Sequence, residues 1–524
     1  MVITSGVIPG RGLPLLPVVS ALLLVSAFPP LHLLIPSFVA LVPLAVWISD
    51  LGSGADARRL AFGGGVWFGL FYFGLLLHWI PIALMSITWW ALPLYLGGVM
   101  VLAFGAGAFA WAFHGMTYEN QIPLWVALPL AWTALECLRA NAPGELAFPW
   151  LGLGTSLTGY PELVGSAELV GTRGITFWLA LVNGLLAEAV LAGRTPGGAR
   201  RILRWVTTAA LVISFPAGWG YYRVGTLPLR AIGEIAVVQP NVSEKGLNSE
   251  DRVDSALASL ARLVPKLAGH SPELVVWPEV TFSRSLELDE EHRRRVESET
   301  ELWPAPVLFG AVGRSLQAGT ESLKFNSAFL AANGRVLPDF RYDKHRLVPL
   351  VERVPFVPER WLSEDDEFGH YERGRAWPLG KIAEGAQFGV LICYESTYPS
   401  HARRFRIEGA DFLVNITNDA WFGREPWYSR TGALWQHPAH LVMRAIENRV
   451  GIARAANTGI SLFVDPLGRT YGEIGFLRAD VQSQVIYTSD IKTLYTQVGD
   501  VAGSVALILT IALVTSARLR PKIA

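Results

Sequence analysis

The chain has 524 residues, 51% hydrophobic and only 17% charged, with a formal net charge of zero. That balance gives no basis for a nucleic-acid partner. With a mean hydropathy of +0.34 it favours membrane segments over a single large soluble core. Two cysteines, Cys137 and Cys393, exclude a disulfide framework. There is no zinc-type Cys/His spacing, no phosphate-binding glycine loop and no internal repeat, so neither a metal nor a cofactor is expected.

The first apolar run, Leu13–Phe28, is followed after only Pro29-Pro30 by a second, Leu31–Ile48. No small-residue cleavage site separates them, so both read as retained helices and not as a signal peptide. Further runs span Leu60–Ala83, Trp90–Phe113, Ile122–Leu138, Ile175–Ala192, Trp205–Tyr222 and Val501–Ala517. Each is close to the ~20 residues that cross a hydrocarbon core, which predicts about eight membrane helices. Basic residues set the orientation. Arg58-Arg59, the cluster Arg194, Arg200, Arg201 and Arg204, and the terminal Arg518, Arg520 and Lys522 share one side with Arg11, the cytoplasm. The expected organisation is a membrane domain over residues 1–222 with about seven helices, an extracytoplasmic domain over 223–500, and a last helix with its tail over 501–524.

Residues 223–500 change character. Strands are predicted at Ile235–Val238, Leu274–Trp277, Val307–Val312, Ser327–Ala332, Phe412–Thr417, Ile452–Ala456 and Ser461–Val464, and helices at Asp251–Leu267, Glu290–Glu301, Tyr398–Ile407 and Gly432–Asn448. Ala332-Asn333-Gly334-Arg335 is a hairpin signal. Buried strands alternating with helices argue an α/β layered domain.

Three strand ends carry candidate chemistry. Gln387–Ile392 runs into Cys393, Leu274–Trp277 runs through Pro278 into Glu279, and Lys344 follows a strand at Tyr342-Asp343. A strand end is a rigid mount for a side chain. A thiol needs a base and a positive neighbour to become a nucleophile, and a carboxylate and an ammonium supply them. Taken singly, Cys393 is more often a buried structural cysteine, Glu279 a loop carboxylate and Lys344 a surface lysine. Cys137 reads as a small apolar filler.

Five motifs in order change that balance: Trp277-Pro278-Glu279; Tyr342 to Pro349; Cys393-Tyr394-Glu395; Asn418-Asp419-Ala420-Trp421-Phe422-Gly423; and Trp435-Gln436-His437 with Asn457-Thr458-Gly459-Ile460. They resemble the nitrilase superfamily, and in particular its membrane-embedded apolipoprotein N-acyltransferase branch, over nearly the whole chain. The resemblance implies a multi-pass α-helical membrane domain plus an αββα nitrilase-like (CN hydrolase) sandwich. It also implies transfer of a fatty acyl chain from a phospholipid, through a thioester on Cys393, to the N-terminal amine of a diacylglyceryl-cysteine on an apolipoprotein. Glu279 is then the general base and Lys344 the oxyanion stabiliser that also favours the thiolate, with the backbone N–H of Tyr394 as second donor. Glu352, Tyr394 and Glu395 match supporting positions, Glu395 as an orienter of Lys344 from the same side of an extended chain. The bland alternative for Glu352 is a surface ion pair with Arg353. Trp150, in Phe148-Pro149-Trp150, and Trp421 match substrate-binding positions, although an interfacial anchor is as good a reading for each.

One departure is plain: the family has a tryptophan where this chain reads Val242 to Asn248 without one. The implied setting is a bacterial cytoplasmic (inner) membrane, with the enzyme a monomer whose catalytic domain faces the periplasm. The alternatives are a membrane-anchored nitrilase-type amidase or hydrolase, and a non-catalytic scaffold tolerant of Cys393→Ala. The orientation is tested directly by a reporter fused after Ala524: it should be active only in the cytoplasm, and activity restricted to the outside would overturn it.

Overall fold

The computed structural model describes residues 14–85, 90–143, 146–242, 249–315, 323–354, 370–383, 385–423 and 430–519. Arg11, Arg520 and Lys522, and residues 243–248 of the loop without a tryptophan, lie outside them.

Helices occupy all eight predicted apolar runs. Four are long and apolar enough to cross a membrane: Ala55–Leu76, Ala91–Tyr118, Ala167–Gly193 and Ala199–Thr226. The others are shorter. The first is Leu15–Ala27, and the fifth, Leu124–Ala140, has 17 residues. The second run is not one helix but two pieces, Leu34–Val39 and Val42–Asp50. Pro43 sits at the start of the second piece and has no N–H to continue the ladder. The groups freed by the break find side chains instead: Ser20 Oγ donates to the Ala40 carbonyl at 2.6 Å, and the Leu41 N–H donates to Asn183 Oδ1 at 2.8 Å. The helix that holds the sixth run, Ala167–Gly193, starts before it and is interrupted near its own start by Gly171, at φ 68° and ψ 177°.

The segment after Thr226 forms two sheets. The first holds β1 (Arg230–Gln239), β2 (Leu274–Val276), β3 (Phe282–Ser285), β4 (Val307–Ser315), β5 (Leu323–Ala332) and β6 (Arg335–Asp343). The second holds β7 (Gly380–Lys381), β8 (Gln387–Ile392), β9 (Phe412–Thr417), β10 (Gly451–Ala456), β11 (Ser461–Val464) and β12 (Thr470–Ile474). A final strand, β13 (Asp480–Thr488), returns to the first sheet, giving the order β13-β1-β2-β4-β5-β6 with β3 against β4; the second runs β12-β11-β10-β9-β8-β7. The hairpin at Asn333-Gly334 forms, with both residues at positive φ as a two-residue turn demands. Strands β3, β7, β12 and β13 were not predicted.

The period of two along the strands builds the layers. Leu274 and Val276 face Phe388 and Val390 in a core between the sheets. Val275 and Trp277 face the other way, onto Val253, Leu260 and Leu263 of the helix Ser249–Leu263. Helices Pro399–Glu408 and Ala433–Asn448 cover the second sheet through Phe405, Leu441 and Ala445. The result is an αββα sandwich.

The last of these helices has a second set of contacts. Its Leu434, Val442, Met443 and Ile446 share one core with Phe28, Phe68 and Trp132 of the membrane-type helices. Buried charges lock the joint. Arg444 Nε pairs with Glu447 Oε2 at 2.8 Å, Glu447 Oε1 accepts the Thr172 N–H at 2.8 Å, and Arg449 Nε pairs with Glu168 Oε2 at 2.6 Å. The break at Gly171 frees that Thr172 N–H.

Gly310 on β4 bears on the site. A Cβ there would lie 2.5 Å from the Val280 nitrogen and 2.7 Å from the Glu279 Cα, both backbone atoms that cannot swing aside. Gly310→Ala should therefore lower stability by about 1–3 kcal/mol, the usual cost of overpacking, read as a lower thermal midpoint in detergent. Gly98→Ala, with nothing within 4 Å, is the control that should not lower it.

Candidate active site

Glu279 follows β2, Lys344 follows β6, Cys393 follows β8 and Asn418 follows β9, so four strand ends converge. The three predicted residues are brought together. Lys344 is 1% exposed, and its Nζ lies 3.0 Å from Glu279 Oε1 and 3.0 Å from Glu352 Oε1. Asn326 on β5 donates its Nδ2 to the same two oxygens, at 2.7 Å each. The remaining oxygens take backbone donors: Glu279 Oε2 accepts the Asn418 N–H at 3.0 Å and Glu352 Oε2 the Val348 N–H at 2.8 Å. A buried ion cluster persists only when every charge is paired and hydrogen-bonded, and all four carboxylate oxygens here are. Burial pulls the Lys344 ammonium down, but Glu279 and Glu352 outweigh it and hold the group well above its ordinary value. Glu352 is thus no surface residue; Arg353 pairs instead with Glu372, at 2.8 Å.

Cys393 stands at φ 50°, in the left-handed region. For a residue with a Cβ this costs about 1–2 kcal/mol, and such positions cluster where the surroundings over-determine the backbone. Burial pushes its thiol far up, with a further push from Glu279 and Asp419, against the downward pull of Lys344 and a hydrogen bond from Thr417. Lys344 therefore favours the thiolate, as expected, but does not win: the resting group is a thiol.

Glu395 corrects another expectation. The chain after Cys393 is not extended but turns into a 3₁₀ helix, Cys393–Thr397. The Glu395 carboxylate accepts the Tyr342 hydroxyl at 2.9 Å, the His345 N–H at 2.6 Å and the Ile392 N–H at 2.9 Å. It fixes the backbone just after Lys344 and just before Cys393, not the ammonium itself. Burial pushes its carboxyl up to about 7 against the pull of those donors.

Tyr394 donates its hydroxyl to the Ala147 carbonyl at 3.2 Å and stacks on Trp150, centroids 6.3 Å apart. Trp150 is 2% exposed and donates its indole N–H to Gln436 Oε1 at 2.9 Å. An interfacial anchor needs a wet edge, so that reading of Trp150 fails; the ring lies in the joint between the helices and the sandwich. Trp421 ends a short 3₁₀ turn, Asp419–Trp421, and packs part-exposed against the membrane-side core. Two groups had no assigned role in the sequence. Asn326 carried no signal, because it lies just before the predicted strand Ser327–Ala332 and between the polar Lys324 and Ser327 of β5. His437 and Asp419, 3.0 Å apart and both buried, lie in motifs that were recognised without a function. Among the described residues no group of three or more His, Cys, Asp or Glu is placed to hold a metal ion.

Two family models match the chain: the apolipoprotein N-acyltransferase N-terminal domain over residues 20–185 and the carbon-nitrogen hydrolase over 234–493. An apolipoprotein N-acyltransferase of Agrobacterium fabrum is 31% identical, the match covering 90% of this chain and 90% of its own. The chain belongs to the apolipoprotein N-acyltransferase family. Another member, from Geobacter metallireducens, is 29% identical over 93% of this chain and 92% of its own. A solved nitrilase-superfamily amidase of Nesterenkonia, 21% identical, matches 52% of this chain and 96% of its own at a TM-score of 0.36. The two family models split the chain as its architecture does, helices first and the α/β sandwich second.

Asn326 gives a direct test of the cluster. Asn326→Leu keeps the volume and removes the donor to both carboxylates, a loss of about 1–3 kcal/mol for each buried group left short of a partner. A thermal midpoint clearly below that of the parent is expected. An unchanged midpoint would mean that water takes over the amide's place.

Proposed function

We propose that this chain moves a fatty acyl group from a membrane phospholipid to the N-terminal amine of the diacylglyceryl-cysteine of an apolipoprotein, with Glu279, Lys344 and Cys393 as its catalytic residues. The observation that carries the reading is the buried ammonium of Lys344 held between Glu279 and Glu352 at the strand ends that present Cys393, in a chain of this family. Residues 1–222 form the membrane domain, 223–500 the catalytic domain and 501–524 the last helix and tail. The protein works as a monomer in the bacterial inner membrane, with the catalytic domain in the periplasm. The apolar helices and the full-length relatives support membrane association, and the match of residues 20–185 to the acyltransferase-specific domain favours acyl transfer over a membrane-anchored amidase.

The mechanism has two halves. Glu279 takes the Cys393 proton as the sulfur attacks the ester carbonyl. The oxyanion is held by Lys344 Nζ and the Tyr394 N–H. Collapse breaks the ester C–O bond, and the lysophospholipid alkoxide leaves with the proton from Glu279. The thioester then meets the lipoprotein amine. Glu279 takes the amine proton, the C–N bond forms, and the C–S bond breaks to return the thiol. Because burial keeps Cys393 protonated, attack and proton transfer to Glu279 are coupled. Glu352 positions Lys344, and Tyr394 and Glu395 position the strand end. Trp421, part-exposed, lines the approach from the lipid side, and Trp150, buried in the joint, supports Tyr394 from behind.

Enzyme incubated with phospholipid and no acceptor should accumulate one fatty-acyl increment on the Cys393 peptide by intact-mass spectrometry. Hydroxylamine and a diacylated lipopeptide should each discharge it. Glu279→Gln should slow its formation roughly 10²–10⁴-fold, and Lys344→Met at least as much. Cys393→Ala should show none, and Cys137→Ala should match the parent. An adduct on Cys137, or discharge by water but never by lipopeptide, would overturn the proposal.

A further inference from the structure

The carbonyl of Cys393 is held from two sides. Ser396 Oγ donates to it at 2.9 Å, and His437 Nε2 lies 3.1 Å from it. The imidazole is itself fixed: His437 Nδ1 lies 3.0 Å from Asp419 Oδ1, and Asp419 Oδ2 is 2.5 Å from Arg454 Nη2. Arg454 is anchored in turn by the Ile460 carbonyl, 3.0 Å from its Nε, and by Asn415. Ser396, His437, Asp419 and Arg454 are all fully buried. Nδ1 faces the Asp419 carboxylate, with Arg454 Nη2 3.3 Å from the same nitrogen. Nε2 lies 3.1 Å from both the Cys393 carbonyl and the Ser396 hydroxyl, and a hydrogen on Nε2 donates to that carbonyl while Ser396 Oγ accepts as well as donates.

A peptide unit is planar and trans, so its C=O and N–H point in opposite directions. The Cys393 carbonyl and the Tyr394 N–H belong to one such unit. Whatever fixes the carbonyl aims the N–H the other way. The left-handed φ of Cys393 makes this peptide plane one that the chain would not choose unaided.

We propose that His437, set by Asp419 and Arg454, is a positioning residue that aims the Tyr394 N–H at the oxyanion by gripping the Cys393 carbonyl. The inference rests on the acyl-transfer reading above, and it predicts a split between two reactions of the same sulfur. Acylation by a phospholipid develops an oxyanion and needs the aimed N–H. Alkylation by iodoacetamide displaces iodide at a saturated carbon, develops no oxyanion and does not.

His437→Asn keeps an amide where Nδ1 meets Asp419 and withdraws the group that reaches the carbonyl. His437→Gln places its amide nearer the position of Nε2. The rate of thioester formation without acceptor, its dependence on phospholipid concentration, and the rate of Cys393 alkylation are measured on the full chain in detergent. His437→Asn should form the thioester on the order of 10- to 100-fold more slowly, part of the 10²–10³ that a whole oxyanion donor contributes. Its half-saturating phospholipid concentration and its alkylation rate should stay within about twofold of the parent, and His437→Gln should recover most of the lost rate. Should His437→Asn fail to fold, Asp419→Asn releases the far side of the ring and should give the same split in smaller measure. Acylation at the parent rate in His437→Asn would overturn the proposal, as would a parallel fall of acylation and alkylation, which marks a merely structural role. A loss reproduced by Ser396→Ala with His437→Asn harmless would overturn it too. A parent that forms no thioester refutes the acyl-transfer reading instead, which keeps the two failures apart.

Discussion

A helix buried on every side must have an answer for each polar group it carries, and Ala433–Asn448 is such a helix. Only Trp435 and Ala439 are even partly exposed. A helix that is apolar all round meets this condition without effort, but this one carries Gln436, His437, His440, Arg444, Glu447 and Asn448. Gln436 is answered by Trp150, His437 by Asp419, and Arg444 and Glu447 by each other and by Thr172. The partners come from both bodies, the sandwich on one side and the membrane-type helices on the other. Breaking a buried ion pair costs about 3–5 kcal/mol, so neither body slides on the helix without a large penalty. The strand ends that hold Cys393, Glu279 and Lys344 are thereby fixed relative to the helices.

The candidate site repeats the same logic at smaller scale. Two carboxylates and one ammonium share a buried pocket. Burial, with a push from Glu279 and Asp419, raises the Cys393 thiol against the pull of Lys344. In the proposed mechanism, when Glu279 takes the proton from Cys393, the negative charge moves to the sulfur and then to the oxyanion. Lys344 is freed from one of its two carboxylates at the moment a new anion needs it. Glu352, kept in place by the Val348 N–H and Asn326, prevents the ammonium from following the charge out of position.

Much of this was legible in the sequence, and the reasons are local. Apolar strands ending on Cys393 and Glu279 are visible because a buried strand is a short continuous run, and the strand end is where the run stops. The hairpin at Asn333-Gly334 is visible because only certain residues take positive φ. Residues whose role depends on a distant partner were not legible. Asn326 matters because β5 brings it between two carboxylates from distant parts of the chain, Glu279 beyond β2 and Glu352 in the turn beyond β6. Glu395 was placed on an extended chain because nothing in Cys393-Tyr394-Glu395 announces a left-handed residue. Strand β13 escaped because two of its inward residues, Ser483 and Thr488, are polar, which erases the alternation of apolar side chains. The second apolar run read as one helix because hydropathy does not register that Pro43 lacks an N–H.

The protonated thiol looks at first like a handicap for a nucleophile. For an acyl carrier that waits on a second lipid-borne substrate it is the consistent choice. A thioester survives only where water is kept out, and the exclusion of water is what pushes a thiol up. A site that lowered the resting pKa of Cys393 by opening to solvent would ionise more readily and then lose its acyl group to hydrolysis. On the proposed mechanism the sulfur stays inert until an ester carbonyl is in place and Glu279 can accept the proton. On that mechanism the positioning of the carbonyl against fixed donors matters most, and the buried polar groups around Cys393 accordingly hold its backbone and that of its neighbours.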